Sequence, residues 1–302
     1  CALPIFIIAD YSQLGIAGCF AFSADFQKGQ DTGKMLDIIR HSFLMSMLSY
    51  KQKYGKKYGE IVIACDGSDN WRKKVYPYYK QHRKAAREEA TMDWNSVFKH
   101  LDSLRADLET VFPWKVIRHD RAEGDDVIGT LVDYVVENHT VMDGLFETSE
   151  PILILSSDGD FGQLHEKGDV KQWNPLHKKW VSKPDKDFLL HKIIRGDGGD
   201  GDPSVLSADD FYVDPKSGRA KPVTAKVIER ISKGVGLTDE EKRRFERNRQ
   251  LISFDYIPDD IRSEIVETYL AAKPNADLNT IMEYLMSKRA RQLLERVHEF
   301  KR

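Results

Sequence analysis

The chain has 302 residues, with 46 Lys plus Arg against 48 Asp plus Glu and a formal net charge of −2. Hydrophobic residues make up 41% and aromatics 10%, enough for a real core in one large domain or two, which excludes a disordered or low-complexity chain. No apolar run approaches a membrane span, no basic segment precedes a signal-type apolar core, and Cys1, Cys19 and Cys65 form no CxxC or even-numbered framework, so a disulfide scaffold and a zinc site are excluded and a reducing compartment is implied.

The first β-type run, residues 3–9, ends at Asp10. A helix follows, marked by Met35, Leu36, Ile38, Ile39, Phe43, Met47 and Leu48 at helical spacing. A second strand, Ile61–Cys65, ends at Asp66, and a basic aromatic stretch comes next. A helix over about 93–111 stops before Pro113, a strand runs over 114–118, and a helix over about 122–138 opens with Glu123, Asp125 and Asp126. Residues 140–150 read as a surface loop. The strand Ile152–Leu155 leads into Ser156-Ser157-Asp158-Gly159-Asp160-Phe161, and a short strand over 170–173 adds to the sheet. Beyond about Lys183 only helices are expected, over about 222–232, 239–253, 258–272 and 278–300, after a stretch at 196–218 dense in Gly, Asp, Ser and Pro. This alternation predicts an α/β fold with a mainly parallel central sheet flanked by helices over 1–183, and an all-helical part over 184–302.

Four strand ends therefore carry acids: Asp10, Asp66, the Glu123/Asp125/Asp126 group, and Asp158 with Asp160. In open α/β sheets, ligands bind past the carboxyl ends of the strands. Two carboxylates about 4 Å apart repel by roughly 4 kcal/mol at an effective dielectric near 20. A set this large stays ionised only beside cations, and hard oxygen ligands suit Mg²⁺ or Mn²⁺. Paired ions of this kind activate a water and stabilise the leaving oxygen in phosphodiester cleavage. Any one of these residues could be a turn former or N-cap, but that reading does not explain four strand ends at once. Asp197 and Asp200, in the run Gly196-Asp197-Gly198-Gly199-Asp200-Gly201-Asp202, are further candidates, and no register of that run fits an EF-hand.

From Arg72 to Arg87 there are seven Lys or Arg and no acid: Arg72, Lys73, Lys74, Lys80, Arg83, Lys84 and Arg87. Tyr76, Tyr78 and Tyr79 are interleaved with them. Cations can hold phosphates while tyrosine rings stack on unpaired bases, and Lys80 and Arg83 share a helix face. With like charges and few apolar anchors, the arm is expected to gain order when phosphates arrive. A further basic cluster, Lys242-Arg243-Arg244 with Arg247 and Arg249, reads as a solvated face.

Together, Ile8-Ala9-Asp10-Tyr11-Ser12, Ala64-Cys65-Asp66, Trp71-Arg72-Lys73, Tyr78-Tyr79-Lys80 with Arg83, Ala86-Arg87-Glu88-Glu89, Glu123 with Asp125 and Asp126, and Ser156 to Phe161 resemble the 5′-nuclease (flap endonuclease) superfamily, and within it the ribonuclease H group of T-even-type bacteriophages. The resemblance continues through Val170-Lys171-Gln172-Trp173, His177-Lys178-Lys179-Trp180, Gly196-Asp197 with Asp200, and Asp255 to Asp259. It implies a two-Mg²⁺ 5′ to 3′ exonuclease and flap endonuclease that removes RNA primers from lagging-strand fragments, with Mn²⁺ able to substitute.

By residue-to-residue matching, Asp10, Asp66, Glu123, Asp125 and Asp158 serve a first metal region, with Asp126 beside them, and Asp160, Asp197 and Asp200 serve a second. Lys80 and Arg83 match residues of a helical arch, about 69–92, that contact the scissile phosphate. Tyr79 would stack on a base, Arg72, Lys73, Lys84 and Arg87 would join the nucleic-acid contacts, and Gly196 onwards matches a helix-turn-helix-like duplex-binding element. The implied partners are flapped duplex DNA, RNA/DNA hybrid, a single-strand-binding protein and a sliding clamp. A monomer in the host cytoplasm is expected. The family commonly has Asn after the Asp matching Asp200, whereas this chain has Gly201, which predicts a more flexible turn. A haloacid-dehalogenase-type phosphatase would need an Asp-x-Asp pair after the first strand, where this chain has Asp10-Tyr11-Ser12, and a non-catalytic DNA-structure-binding protein would not need every carboxylate.

Overall fold

The structure, a computed structural model, describes residues 6–21, 33–143, 146–214, 216, 218–275 and 277–301. Cys1, the expected strand start at 3–5 and the Met35 side chain lie outside the described residues. In chain order the strands are β1 (Ile7–Asp10), β2 (Ile61–Cys65), β3 (Lys115–Arg118), β4 (Thr140–Asp143), β5 (Phe146–Ser149), β6 (Ile152–Leu155), β7 (Val170–Asn174) and β8 (Lys179–Trp180). The helices of the first part are α1 (Tyr11–Ala21), α2 (Gly33–Tyr58), α3 (Arg72–Val75), α4 (His82–Glu89), α5 (Trp94–Val111) and α6 (Gly124–Asn138). Those that follow are α7 (Phe188–Arg195), α8 (Ala225–Ser232), α9 (Asp239–Ile252), α10 (Asp259–Ala271), α11 (Leu278–Ser287) and α12 (Arg291–Glu295). None of the described helices is long and apolar enough to cross a membrane.

The main sheet has the order β3-β2-β1-β6-β7-β8, parallel throughout except for the last pair. Its strands read as unbroken apolar runs because both faces are covered. Ile7, Ala9, Ile61, Ile63, Leu153 and Leu155 join the core with α1, α2 and α5, while Ile8, Val62, Ala64, Ile152 and Ile154 join the one with α6. Each such side chain, fully buried, contributes roughly 1.5–3 kcal/mol. The chain builds outward from β1 to β2 and β3, then returns to the other side of β1 for β6. The strand order thus reverses between β1 and β6, the topological switch point where a crevice opens past the carboxyl ends.

The helical segment packs back onto both layers. α10 lies on α6 and β3, while α11 and α12 contact α5 and α2 respectively. Phe300 closes one end, 5.3 Å from the Phe112 ring and 5.7 Å from that of Trp114.

Three expectations need correction. Residues 140–143 and 146–149 are not a plain loop: β4 and β5 pair antiparallel, with Thr140 opposite Ser149 and Asp143 opposite Phe146. The single helix expected over 278–300 breaks at Arg289, whose φ is 54°, so that Leu293 and Phe300 turn into the same core as Leu285. Arg247 does not belong to a solvated face. It is buried, ion-paired to Asp209, and donates to the Pro203 carbonyl at 3.0 Å and to Asn248 Oδ1 at 2.8 Å.

Gly67, just past β2, shows how tightly the crevice floor is built. A Cβ there would lie 2.1, 2.5 and 2.7 Å from the carbonyl oxygens of His119, Asp120 and Ala122. Backbone cannot swing aside as a flexible side chain does. Gly67→Ala is therefore expected to destabilise the fold by about 2–3 kcal/mol, read from urea unfolding midpoints. An unchanged midpoint would show that the 119–122 loop yields freely.

Candidate active site

Each acid is aimed by the element that ends or begins beside it. Asp10, the last residue of β1, accepts from the Gln13 amide at 3.0 Å and from Ser156 Oγ, just past β6, at 2.8 Å. Asp66 follows β2 and accepts from the Gly124 amide at 2.7 Å, at the positive end of α6. Asp158 caps a 3₁₀ turn over Gly159–Leu164 by accepting from the Asp160 amide at 2.9 Å. Gln172 on β7 holds the backbone behind it, donating to the Ser156 and Asp158 carbonyls at 3.0 and 2.6 Å.

Eight of the nine expected carboxylates line one cleft of about 1320 Å³: Asp10, Asp66, Glu123, Asp125, Asp158, Asp160, Asp197 and Asp200. Lys80, Arg83 and Arg87 line it too. The ninth, Asp126, is turned away. It is fully buried, with its oxygens 2.7 and 2.8 Å from the Arg72 guanidinium, and it accepts from the Glu123 amide at 2.9 Å as the return half of a capping box. Arg72 is therefore not a surface contact: it is 3% exposed and also donates to the Leu251 carbonyl at 2.7 Å. Breaking such a buried pair from one side costs about 3–5 kcal/mol.

Tyr79 is likewise not free to stack on a base. Its ring is buried, and its hydroxyl stands 2.7 Å from Glu123 Oε2 and 2.8 Å from Asp200 Oδ2. The arm as a whole has the apolar anchors that composition hid, since Tyr76 and Tyr79 pack with Ile193 on α7 and Leu251 and Ile252 on α9. Lys73, Lys84 and Arg87 are exposed and stay available.

Lys80 bridges the two acid groups. Its φ of 56° turns its amide onto the Asp200 carbonyl at 2.7 Å, and its Nζ lies 2.6 Å from Glu123 and 3.4 Å from Asp200. Arg83 reaches Asp200 at 2.6 Å. Lys192, missed by the sequence reading, ion-pairs with Asp160 and, at 2.8 Å, with Asp197. A base in the last turn of α7 is what a helix dipole alone would favour, so no local signal marked it. Gly201 is a requirement of this chain and not a loosened turn: its φ is +79°, and a Cβ would meet His82 Nδ1 at 2.6 Å.

Charge divides the cleft. Burial would raise Glu123, but Lys80 and Arg72 outweigh it and hold the carboxyl down at about 2. Asp197 is also lowered, because Lys192 overcomes its desolvation. Burial would lower Lys80, yet Glu123 and Asp200 hold it up. Away from these cations, burial together with Asp66 and Asp158 pushes Asp10 up to about 7. Asp125 is raised by desolvation and by Asp10 and Asp158. Asp158 is raised chiefly by desolvation. Around Asp10, Asp125 and Asp158, burial and the neighbouring carboxylates outweigh the nearby cations, and this quarter, with Asp66, could hold a hard cation.

Residues 7–192 match the family model for the 5′-3′ exonuclease N-terminal resolvase-like domain, and residues 183–300 match that for the C-terminal part of T4 RNase H. The chain belongs to the 5′-3′ exonuclease family. It is a nuclease, 33% identical over 306 residues to the ribonuclease H of Enterobacteria phage T4, across 97% of this chain and 95% of that one. The flap endonuclease Xni of Shewanella sp. (strain MR-4) is 25% identical over 167 residues, 52% of this chain and 55% of its own. The fold is shared with the T5 D15 protein crystallised with metal ions, at a TM-score of 0.54 and 16% identity over 96% of this chain and 98% of that one. The D15 flap endonuclease complex with DNA and metal ions gives 0.57 and 17% over 87% and 97%.

The cleft sets a pH dependence. Asp10, at about 7, and the buried Asp202, raised by burial and by Asp200 to about 8, bind protons more tightly folded than unfolded, where both start from 3.8. Their contribution to stability is full below the unfolded value and is lost as pH rises through the folded values. Glu123 works in the opposite direction, losing its contribution only as pH falls from 4.5 towards 2. In chelator, the melting temperature should fall as pH is raised from about 5 to about 8.5, and Asp10→Asn should flatten the lower half of that fall. A flat profile in the unsubstituted protein would contradict the cleft's charge balance.

Proposed function

We propose that this nuclease is a Mg²⁺-dependent 5′ to 3′ exonuclease and flap endonuclease that removes RNA primers and adjacent DNA during phage DNA replication in the host cytoplasm. The observation that carries the reading is the single cleft in which eight carboxylates face Lys80 and Arg83 at the switch point of the sheet. Flapped duplex DNA and RNA/DNA hybrid are its substrates, the helical part over 184–302 holds the duplex, and the protein works as a monomer beside a single-strand-binding protein and a sliding clamp.

The donor set fits two divalent ions. All its ligands are hard oxygens, and the quarter around Asp10 and Asp125 is under-neutralised. Oxygen-only donors of this kind suit Mg²⁺, an ion that keeps much of its water. Asp10, Asp66, Glu123, Asp125 and Asp158 would hold one ion, and Asp160, Asp197 and Asp200 the other, with Mn²⁺ as a substitute. When bound, such ions lower the pKa of a water and neutralise a leaving oxygen.

The chain's own residues do the rest. Lys80 and Arg83 present their donors on the rim of the cleft, where they bind non-bridging phosphate oxygens and stabilise the charge that grows there in the transition state. Tyr79, with its hydroxyl between Glu123 and Asp200, sets the spacing of the two acid groups. Ser156 orients Asp10 through its hydroxyl. Arg72 and Asp126 hold the start of α6, and with it Glu123 and Asp125, in place. Lys73, Lys84 and Arg87 make sequence-independent phosphate contacts.

Cleavage of a 5′-flap duplex with Mg²⁺ and with excess EDTA tests this directly. Asp158→Asn should lower the single-turnover rate by more than about 100-fold while flap binding stays measurable. Lys80→Ala should cost about 10²–10³ in rate with a smaller loss in binding. Full activity in EDTA would remove the proposal, and an intact rate in Lys80→Ala would reduce that residue to a positioning contact.

A further inference from the structure

A second cavity, of about 660 Å³, opens at the other end of the sheet between the end of α2 and the edge pair β7–β8. None of its lining residues belongs to the acid cleft. Apart from His165, its walls come from two segments that carry bases and no acid: Lys51 to Tyr58, and Val170 to Lys183. On α2, Tyr50, Tyr54 and Tyr58 recur every fourth residue, as do Lys53 and Lys57, so aromatic and basic stripes run side by side. Trp180 stands 46% exposed at the mouth, in edge contact with Tyr54 at 5.5 Å and Trp173 at 5.3 Å. Lys53 Nζ lies 4.4 Å from the Trp173 ring centre, and Lys57 Nζ 4.9 Å from that of Tyr58.

Packing explains part of this. Tyrosine and tryptophan rings cover a sheet edge, and lysine stems lie along them with their heads in water. Packing does not call for an excess of one charge. Of the lysines lining the cavity, only Lys183 is ion-paired among the described residues, with Glu166 at 2.9 Å, while Lys53, Lys57 and Lys171 are exposed. The volume lies within the roughly 300–1,000 Å³ of small-molecule sites.

We propose that this cavity is a second nucleic-acid site, which takes an unpaired base of a single strand against the exposed Trp180 ring, backed by the buried Tyr54, and sets the flanking phosphates on Lys53, Lys57 and Lys171. Aromatic faces beside a basic rim are the chemistry that grips single strands without reading sequence. Val170 and Lys171, at the start of β7, line the cavity, and the strand runs about 10 Å further to Asn174 at its carboxyl end. A strand can therefore occupy this site without entering the acid cleft, and the inference rests on no step of the cleavage reaction.

The test is titration of the full-length protein, in chelator, with oligothymidylate of about ten nucleotides, following tryptophan fluorescence and the anisotropy of a labelled strand. Saturable, salt-sensitive quenching is expected. The combined substitution Lys53→Ser, Lys57→Ser and Lys171→Ser should weaken this binding at least about tenfold and lower the salt slope by about two. Trp180→Leu should remove most of the quenching, with its fold checked by circular dichroism. If Trp180→Leu fails to fold, the lysine variant alone decides, since its three positions are exposed. Unchanged affinity and slope in the lysine variant would overturn the proposal. So would tighter binding of polyglutamate than of oligothymidylate, which would make the face a dock for an acidic protein segment.

Discussion

Carboxylates that face one another across a cleft repel, and at the switch point of this sheet eight of them do so. Much of the surrounding structure can be understood as the means by which that repulsion is borne. Lys80 is placed against Glu123 and Asp200, Arg83 against Asp200, and Lys192 against Asp160 and Asp197. At Glu123 and Asp197 the facing cations outweigh burial and the pKa falls; at Asp10 and Asp125 burial and the neighbouring carboxylates prevail and it climbs. The protein's own cations thus offset part of the cleft's negative charge and leave the rest, chiefly around Asp10 and Asp125, to be balanced from solution.

The same arrangement ties the basic arm to the acids of the cleft. Arg72, at the root of the arm, is locked to Asp126 in the first turn of α6, the turn that carries Glu123 and Asp125. Tyr79 continues the link to Asp200. The two buried side chains thus fix where the acids of the cleft stand. Bases that look interchangeable in the sequence fall into two physical classes. Arg72 is a buried partner of one carboxylate, whereas Lys73, Lys84 and Arg87 are solvated and free to meet phosphates. Gly201 belongs to this linkage too, because only a residue without a Cβ leaves room for His82 on the arm to approach the Asp200 turn.

Much was legible in the sequence because it depended on local rules. Strands buried on both faces must be apolar throughout, so β1, β2 and β6 announced themselves, and the acids following them were at strand ends wherever the strands lay in space. The βα alternation determined that most of the sheet is parallel, and parallel strands place all their carboxyl ends on one side. Convergence of Asp10, Asp66 and Asp158 on one side of the sheet followed from these two facts.

Tertiary structure decided which polar side chains face the cleft and which support it. Glu123, Asp125 and Asp126 are neighbours in the chain, and nothing local distinguishes the buried one. Asp126 is withdrawn because Arg72, 54 residues earlier, is brought beneath it. Tyr79 was read as a free ring because its anchors, Ile193, Leu251 and Ile252, lie more than a hundred residues away. Lys192 was invisible for a like reason, since its place between Asp197 and Asp160 depends on Asp160, 32 residues earlier, being brought across the cleft. Burial and ion pairing are properties of places in the fold. Periodicity determines that a helix or strand exists, but only long-range packing determines what each polar side chain meets.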